Sequence, residues 1–375
     1  MVSARKYRPG TFETVVGQDH VTNTLRNAIV LKQLSHAFLF CGPRGVGKTT
    51  CARILAKAVN CTNLSSIGEP CNTCDSCKTF NEGRSLSIFE LDAASNNGVD
   101  DVRSLIERLR VIPPEGAKSV YIIDEVHMLT TAAFNAFLKT LEEPPPHALF
   151  ILATTERHKI LPTILSRCQK FEFRRIRVQE IADHLQHIAE QENIPFEPEA
   201  LHLIAQKADG ALRDALSLFD QIVNYSNRNI SYEMVLDNLN ILDYDYYFRI
   251  VDAVRNQDHE AALLTLNQII NKGFDIYYFL VGLTEHFRNL LIAQSSKTTT
   301  ILEFPETVIK RFALQASYFS GTFWLNALNL CWEGEQKYRN SANTRLHVEL
   351  LLIKLVYLNQ AIEIAQELEY EKKKL

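Results

Sequence analysis

The chain has 375 residues, 46% of them hydrophobic and 22% charged, with a formal net charge of −4. That size suggests two or three domains of ordinary globular composition. No apolar run approaches the roughly 20 residues a membrane span needs, MVSARKYRPGTF has no apolar core of a secretion signal, and an acidic chain is not one that grips nucleic acid over its whole surface. A cytosolic location is expected, with reduced thiols, so clustered cysteines point to metal before disulfides.

Basic groupings stand at Arg5, Lys6 and Arg8, at Arg103, Arg108 and Arg110, and at Arg174, Arg175 and Arg177. Taken alone, each reads as a solvated face. Candidate strands are HAFLFCG (36–42), SIFELDA (87–93), SVYIIDE (119–125), ALFILATT (148–155) and CQKFEF (168–173). They are nearly continuous apolar runs separated by helix-length segments. That pattern predicts a parallel sheet covered by helices on both faces, an α/β nucleotide-binding layout over residues 1–177.

The strand signal stops near Arg177. VQEIADHLQHIAEQENI, PEALHLIAQKA and ADGALRDALSLFDQIVNY carry apolar residues at spacings of three and four. They predict three short helices, a small domain over 178–240. NRNISYEMVLDNLNIL adds a helix and a linker near 226–243. Residues 241–375 read as an all-helical domain, through YYFRIVDAVRN, HEAALLTLNQIINKG, IYYFLVGLTEHFRNLLIAQ, TFWLNALNLCWEGEQKYRN and VELLLIKLVYLNQAIEIAQELEY. SSKTTT (295–300) is the clearest loop, and the terminal EYEKKKL reads as solvated.

CGPRGVGKTT follows the first strand and opens a helix. It fits G-x-x-x-x-G-K-[ST] through Gly42, Gly47, Lys48 and Thr49. Glycines there let backbone N–H groups face phosphate oxygens, and the helix start adds a favourable dipole. Pro43, Arg44, Gly45, Val46 and Thr50 complete the loop. Lys48 is expected on the β- and γ-phosphates of ATP, and the Thr49 hydroxyl on Mg²⁺. VYIIDE ends in Asp124 and Glu125 at the carboxyl edge of the sheet. Asp124 would hold Mg²⁺, and Glu125 would polarise the attacking water. The blander role for Glu125 is a helix cap or a pair with a lysine. Thr154 and Thr155 reach the same edge, where Thr155 is the one favoured to position water.

Eight cysteines occur, and four form Cys61-x9-Cys71-x2-Cys74-x2-Cys77. Two CxxC steps and an upstream thiol suit a closed, tetrahedral, structural Zn²⁺. An iron–sulfur cluster is the rival, but the C-P that completes a ferredoxin run is missing. The remaining cysteines read as packing.

RKYRPGTFETVVGQDHV, GPRGVGKT, IDEVHML, LEEPPPH, LATT, ILSRC and GALRDALSL occur in that order. The chain thus resembles the AAA+ clamp-loader ATPases, most closely the gamma/tau family of bacterial DNA polymerase III. The resemblance is dense over roughly 4–222; beyond that, the helices simply look like the family's collar domain. It implies that Tyr7, Arg8, Pro9, Val15, Val16 and Gly17 surround adenine. Thr155 matches a first sensor of the γ-phosphate, and Arg213 a second, touching the nucleotide of its own subunit. Arg167, in SRC, matches an arginine finger that reaches a neighbouring subunit's nucleotide. A local ion pair with an acid such as Glu172 is the alternative role for Arg167.

The same resemblance implies the partners: other clamp-loader subunits of the delta and delta-prime type, a sliding clamp and primed DNA. Assembly would be a homo-oligomer or hetero-pentamer joined through the C-terminal helices, without a membrane. The family also carries a four-cysteine zinc module. Ser95, Asn96 and Arg103 stand where clamp loaders track a DNA backbone, and Asn96, Asn97 and Gly98 can leave N–H groups at a helix start free for phosphate. Such binding would be sequence-independent and salt-sensitive. The competing functions are a DNA-translocating AAA+ motor, such as a branch-migration helicase, and a non-catalytic scaffold with a vestigial site. The SRC motif, the cysteine module and the all-helical C-terminus argue against the first. Lys48, Thr49, Asp124 and Glu125 argue against the second.

Overall fold

The computed structural model describes residues 3–109, 118–239, 242–302 and 304–365. The chain divides into two compact units, Met1–Asn229 and Ile230–Leu375. The helix Tyr232–Leu239 therefore groups with the C-terminal unit.

The first unit is built on five strands: β1 Ala37–Cys41, β2 Ile88–Asp92, β3 Ser119–Asp124, β4 Ala148–Thr154 and β5 Gln169–Glu172. Each lies inside the stretch its apolar run predicts. The sheet order is β2-β3-β4-β1-β5, and every pairing is parallel. Side chains alternate across a strand, so each central strand feeds two cores. Phe38 and Phe40 of β1, with Val120 and Ile122 of β3, join one apolar cluster; Leu39, Tyr121 and Ile123 join the other. Burying both faces requires the continuous apolar runs seen in the sequence. Each fully buried side chain of this size contributes roughly 1.5–3 kcal/mol.

Helices Asp19–Val30 and Lys48–Val59 cover the first face through Leu25, Ile29, Ile54 and Leu55. Helices Val99–Arg108 and Thr131–Glu142 cover the second through Leu105, Phe134 and Phe137. Thr130 caps the last of these by accepting from Ala133 N at 3.3 Å. Because all strands run the same way, their carboxyl ends and the following loops share one edge. Helices Val178–Gln191, Pro198–Lys207 and Leu212–Tyr225 complete the unit. They bury Ile181, Leu185, Ile204, Phe219 and Ile222, one apolar stripe each.

The second unit is all-helical among its described residues, as expected. Its helices His259–Asn271 and Ile276–Ala293 fall within the predicted segments, while Tyr244–Arg255, Gly321–Tyr338 and Thr344–Val356 overlap theirs but begin two, one and four residues earlier. Helix Glu306–Ala316 was not anticipated; its apolar face is short, with Phe312 and Ala316 carrying the burial. One core joins Phe248, Phe279, Phe287, Phe312 and Trp324. Asp243, Asp258, Asp275, Ser320 and Asn343 cap helices with their side chains. Among the described residues no helix is long and apolar enough to cross a membrane.

Candidate nucleotide site and cysteine cluster

The phosphate loop leaves β1 at Gly42, whose φ of 150° and closeness to β5 exclude a side chain: a Cβ there would lie 2.4 Å from the Phe173 carbonyl oxygen. Gly47 has φ 104° and opens helix Lys48–Val59. These backbone angles favour glycine and turn the loop around a hollow. Lys48, only 5% exposed, donates to the Gly42 and Pro43 carbonyls at 2.8 and 2.6 Å. Burial lowers its pKa, while Glu125 and Asp124 pull the other way. An ammonium held this way is ready to exchange carbonyl partners for phosphate oxygens.

Thr49 donates to Asp124 Oδ2 at 2.6 Å, so the two groups expected on Mg²⁺ meet directly. Asp124 Oδ1 accepts from Glu125 N at 2.9 Å. Glu125 itself sits at φ 46°, which swings its carboxylate towards β4. Thr155 donates to Glu125 Oε2 from its hydroxyl at 3.1 Å and from its backbone N at 3.3 Å. Among the described residues Glu125 is thus neither a side-chain cap of the next helix nor bound to a lysine. His127, which the sequence reading passed over, lies 3.4 Å from both Glu125 and Glu156, and Nδ1 is 3.1 Å from Thr154 Oγ1.

Lys48, Thr49, Asp124 and Glu125 border an open cleft. One wall holds Arg44, Gly45, Val46, Gly47, Lys48, Thr49 and Thr50; another holds Tyr7, Arg8, Pro9, Val15 and Val16. Arg213 lines it from helix Leu212–Tyr225, and its backbone N donates to Gly45 O at 3.3 Å. Ala4, Ile176, Leu212 and Leu216 also line the cleft and were not anticipated. Leu212 and Leu216 are an i, i+4 pair on the arginine's own helix, a spacing that could have marked them. Gly17 has φ 69° and packs against Ile176.

Arg167 does not border this cleft. It donates to Glu142 Oε1 and to the Thr163 carbonyl, each at 2.7 Å. The local-pair expectation named the wrong acid, because Glu172 is taken by Arg157.

The loop after the second strand differs from the expectation of free N–H groups. Asn96 N donates to Asp92 O at 3.0 Å, and Gly98 N to Asp101 Oδ2 at 3.0 Å. These two N–H groups are therefore not free for phosphate. Ser95 N turns back to Asp92 O in the same way, and Arg103 pairs with Asp100 at 3.3 Å. In the other basic groupings, Lys6 pairs with Glu192, Arg175 with Asp209 and Arg177 with Glu180. Arg110 lies outside the described residues.

Cys61, Cys71, Cys74 and Cys77 place their sulfurs within 4.8 Å of one another. The Cys61–Cys71 and Cys61–Cys74 separations are 3.5 and 4.0 Å. Tetrahedral zinc with Zn–S bonds of about 2.3 Å requires sulfurs about 3.8 Å apart, so the four thiols fit the ion. Cys71 Sγ accepts N–H bonds from Thr73 and Cys74 at 3.4 and 3.3 Å. Its contacts with Thr73 lead in pulling its pKa down to about 5, whereas burial pushes the Cys77 thiol up. Cys41, Cys51, Cys168 and Cys331 are buried, in line with packing.

Residues 17–177 match the family described as DNA polymerase III, delta subunit. Residues 180–228 match the DNA polymerase III clamp loader subunit, ATPase lid domain, and 230–369 match DNA polymerase III subunits gamma and tau domain III. The chain is 45% identical over 292 residues to DNA polymerase III subunit tau of Bacillus subtilis, covering 78% of this chain and 52% of that one. It is 34% identical over 363 residues to DNA polymerase III subunit gamma of Buchnera aphidicola, covering 96% and 97%. Among solved structures, the Thermotoga maritima RuvB Holliday junction branch migration motor matches at 20% identity and TM-score 0.48, over 66% of this chain and 79% of that one, too remote to argue from. The chain spans about half the length of the first curated relatives it matches. With its three segments matched in order and a relative covered almost end to end, the chain belongs to the gamma/tau subunit family of DNA polymerase III.

Proposed function

We propose that this chain is an ATP-hydrolysing subunit of a clamp loader, which uses ATP binding and hydrolysis to open a sliding clamp and place it on primed DNA. The observation that carries the reading is the convergence of Lys48, Thr49, Asp124 and Glu125 on one cleft, with Thr155 hydrogen-bonded to the Glu125 carboxylate. Thr49 and Asp124 would exchange their mutual hydrogen bond for a shared Mg²⁺, and Lys48 would move onto the β- and γ-phosphates. Glu125, oriented by Thr155, would take the proton of the attacking water. Arg213 would contact the nucleotide from the lid side. Cys61, Cys71, Cys74 and Cys77 would hold a structural Zn²⁺, which supplies rigidity rather than chemistry.

Three working parts support this role: residues 1–177 bind and hydrolyse, 178–229 form the lid, and 230–375, which take in helix Tyr232–Leu239, form the collar through which subunits join. Other clamp-loader subunits, the clamp and primed DNA are the partners, and the site of action is the cytoplasm. Ser95, Asn96 and Arg103 would approach the DNA backbone through side chains, since the neighbouring N–H groups are engaged. Arg167, turned away from its own cleft, would complete the site of a neighbouring subunit. Developing charge on the γ-phosphoryl oxygens is best met by a further cation, and supplying it in trans makes hydrolysis depend on assembly. The translocating-motor reading loses ground to the family match.

Mixing Lys48→Ala and Arg167→Ala proteins, with partner subunits, clamp and primed DNA present, tests this. Each variant alone should hydrolyse ATP poorly. Partial recovery on mixing is expected, because some interfaces regain Lys48 from one subunit and Arg167 from the next. No recovery despite subunit exchange would overturn the shared-site mechanism.

A further inference from the structure

Residues 3–16 run along the nucleotide cleft as a strap fastened at both ends. At one end Ser3 N donates to Asp220 Oδ2 at 2.6 Å, and the Tyr7 hydroxyl bonds Glu192; both acids belong to the helical part of the unit. At the other end the strap meets the cysteine module. Glu69, two residues before Cys71, is 6% exposed. Its carboxylate accepts from Phe12 N at 2.7 Å and Glu13 N at 2.9 Å, with Arg26 at 3.5 Å. Lys57, 5% exposed, donates to Gly10 O at 3.1 Å and to Asn72 Oδ1 at 2.5 Å. Asn72, between Cys71 and Cys74, also donates to Gly10 O at 3.2 Å. Phe12 is buried in the core of the sheet's first face. Between the fastenings, Tyr7, Arg8 and Pro9 line the cleft, and Val15 and Val16 follow just beyond.

A charge is kept in a protein interior only where partners are supplied. The buried Glu69 and Lys57 spend theirs on the strap backbone and on Asn72. The peptide that presents Glu69 is a turn: Ser65 N donates to Glu69 O at 3.0 Å and Glu69 N to Ser65 Oγ at 2.8 Å. This turn lies between Cys61 and Cys71, so whatever draws the four sulfurs together also fixes where Glu69 and Asn72 stand.

We infer that the four-cysteine module is a metal-dependent anchor for the strap, with Glu69 and Lys57 as the positioning residues that carry the effect to the cleft. The inference rests on the nucleotide reading of that cleft. The phosphate loop and Asp124 stand on the sheet and do not depend on the module. The strap wall does. Loss of metal therefore weakens recognition of the nucleoside while leaving phosphate recognition in place.

The test uses the full chain, zinc-loaded and zinc-stripped by a zinc-selective chelator, in the presence of Mg²⁺. Binding is measured for a fluorescent ATP analogue and, by competition, for inorganic tripolyphosphate. Stripping, Glu69→Gln and Lys57→Met should each weaken the analogue about tenfold, as expected for losing one charge-assisted hydrogen bond. Tripolyphosphate affinity should not change, and both variants should retain zinc. Backbone amide exchange should quicken at Phe12 and Glu13 and stay unchanged in the sheet. Unchanged analogue affinity, or equal loss for both ligands, overturns the inference. If stripped protein unfolds, the zinc-loaded variants decide the matter. Wild-type protein that binds neither ligand overturns the nucleotide reading as well, whereas binding that ignores the metal and both variants overturns the anchor alone.

Discussion

His286 makes the C-terminal unit acid-sensitive in a way that can be calculated. Its ring is buried among Tyr247, Phe248 and Phe312, with centroid distances of 5.7, 4.8 and 4.9 Å. Among the described residues neither ring nitrogen has a hydrogen-bond partner. Burial lowers its pKa to about 3, with Gln315 opposing and Arg311 reinforcing. In the unfolded chain an imidazole titrates near 6.5, so acid protonates the unfolded state first and favours it. Stability is complete above that value and declines between it and about 3. At about pH 5 the loss is 1.5 units of pH at about 1.4 kcal/mol each, or about 2 kcal/mol.

Both tryptophans of the chain, Trp324 and Trp332, lie in the C-terminal unit, so tryptophan fluorescence reports its unfolding alone. Urea titrations at about pH 7.5 and pH 5 should show wild type losing stability at the lower pH. His286→Phe keeps an aromatic ring and removes the two unpartnered nitrogens, so its loss should be smaller by about 2 kcal/mol. Comparing the two proteins cancels Asp243, whose burial-raised carboxyl favours the fold as pH falls. Equal pH dependence in both proteins would refute the reasoning.

Glu125→Gln should lower assembled ATPase activity by about two to four orders of magnitude while sparing nucleotide affinity, because only proton transfer is removed; equilibrium binding and steady-state rates separate the two. Thr155→Val should reduce kcat by about tenfold with KM little changed, since it removes one hydroxyl bond to the Glu125 carboxylate and keeps the backbone one; a larger effect on KM would contradict this role. Gly42→Ala should destabilise the first unit by about 1–3 kcal/mol, as the added carbon meets the Phe173 carbonyl; thermal unfolding followed by circular dichroism measures it. Cys71→Ser should abolish the single bound zinc expected per chain, read by atomic emission on purified protein.

The sheet was legible because its strands obey one simple constraint. A strand buried on both faces must be apolar at nearly every position, and Phe38–Cys41 and Leu149–Ala153 are. The phosphate loop was legible for a related reason. Its glycines answer local backbone demands that Gly42 and Gly47 display in their φ values. Helix Glu306–Ala316 was harder to see because a short helix with few buried apolar positions carries little periodic signal. At the loop before Val99, free N–H groups were expected from the asparagines and glycine. The decisive residue was Asp101, three positions beyond Gly98, which supplies the cap from inside the helix.

What stayed hidden is chemistry between residues far apart in sequence. Glu69 bonds Phe12 across 57 positions, and Lys57 reaches Gly10 across 47. Neither residue belongs to a motif or an apolar pattern that marks it in the sequence, and only folding shows both buried. Arg167 teaches the same lesson in reverse. Its motif directed attention to a nucleotide, yet within one chain its guanidinium is occupied by Glu142, from the LEEPPPH stretch. If Arg167 completes a neighbouring subunit's site, it must leave this partner. The pair is partly exposed, so leaving costs about 1 kcal/mol or less. A bond that weak would yield readily to the greater charge of a neighbouring subunit's triphosphate, so under the proposed shared site the arginine would register assembly as well as supply a cation.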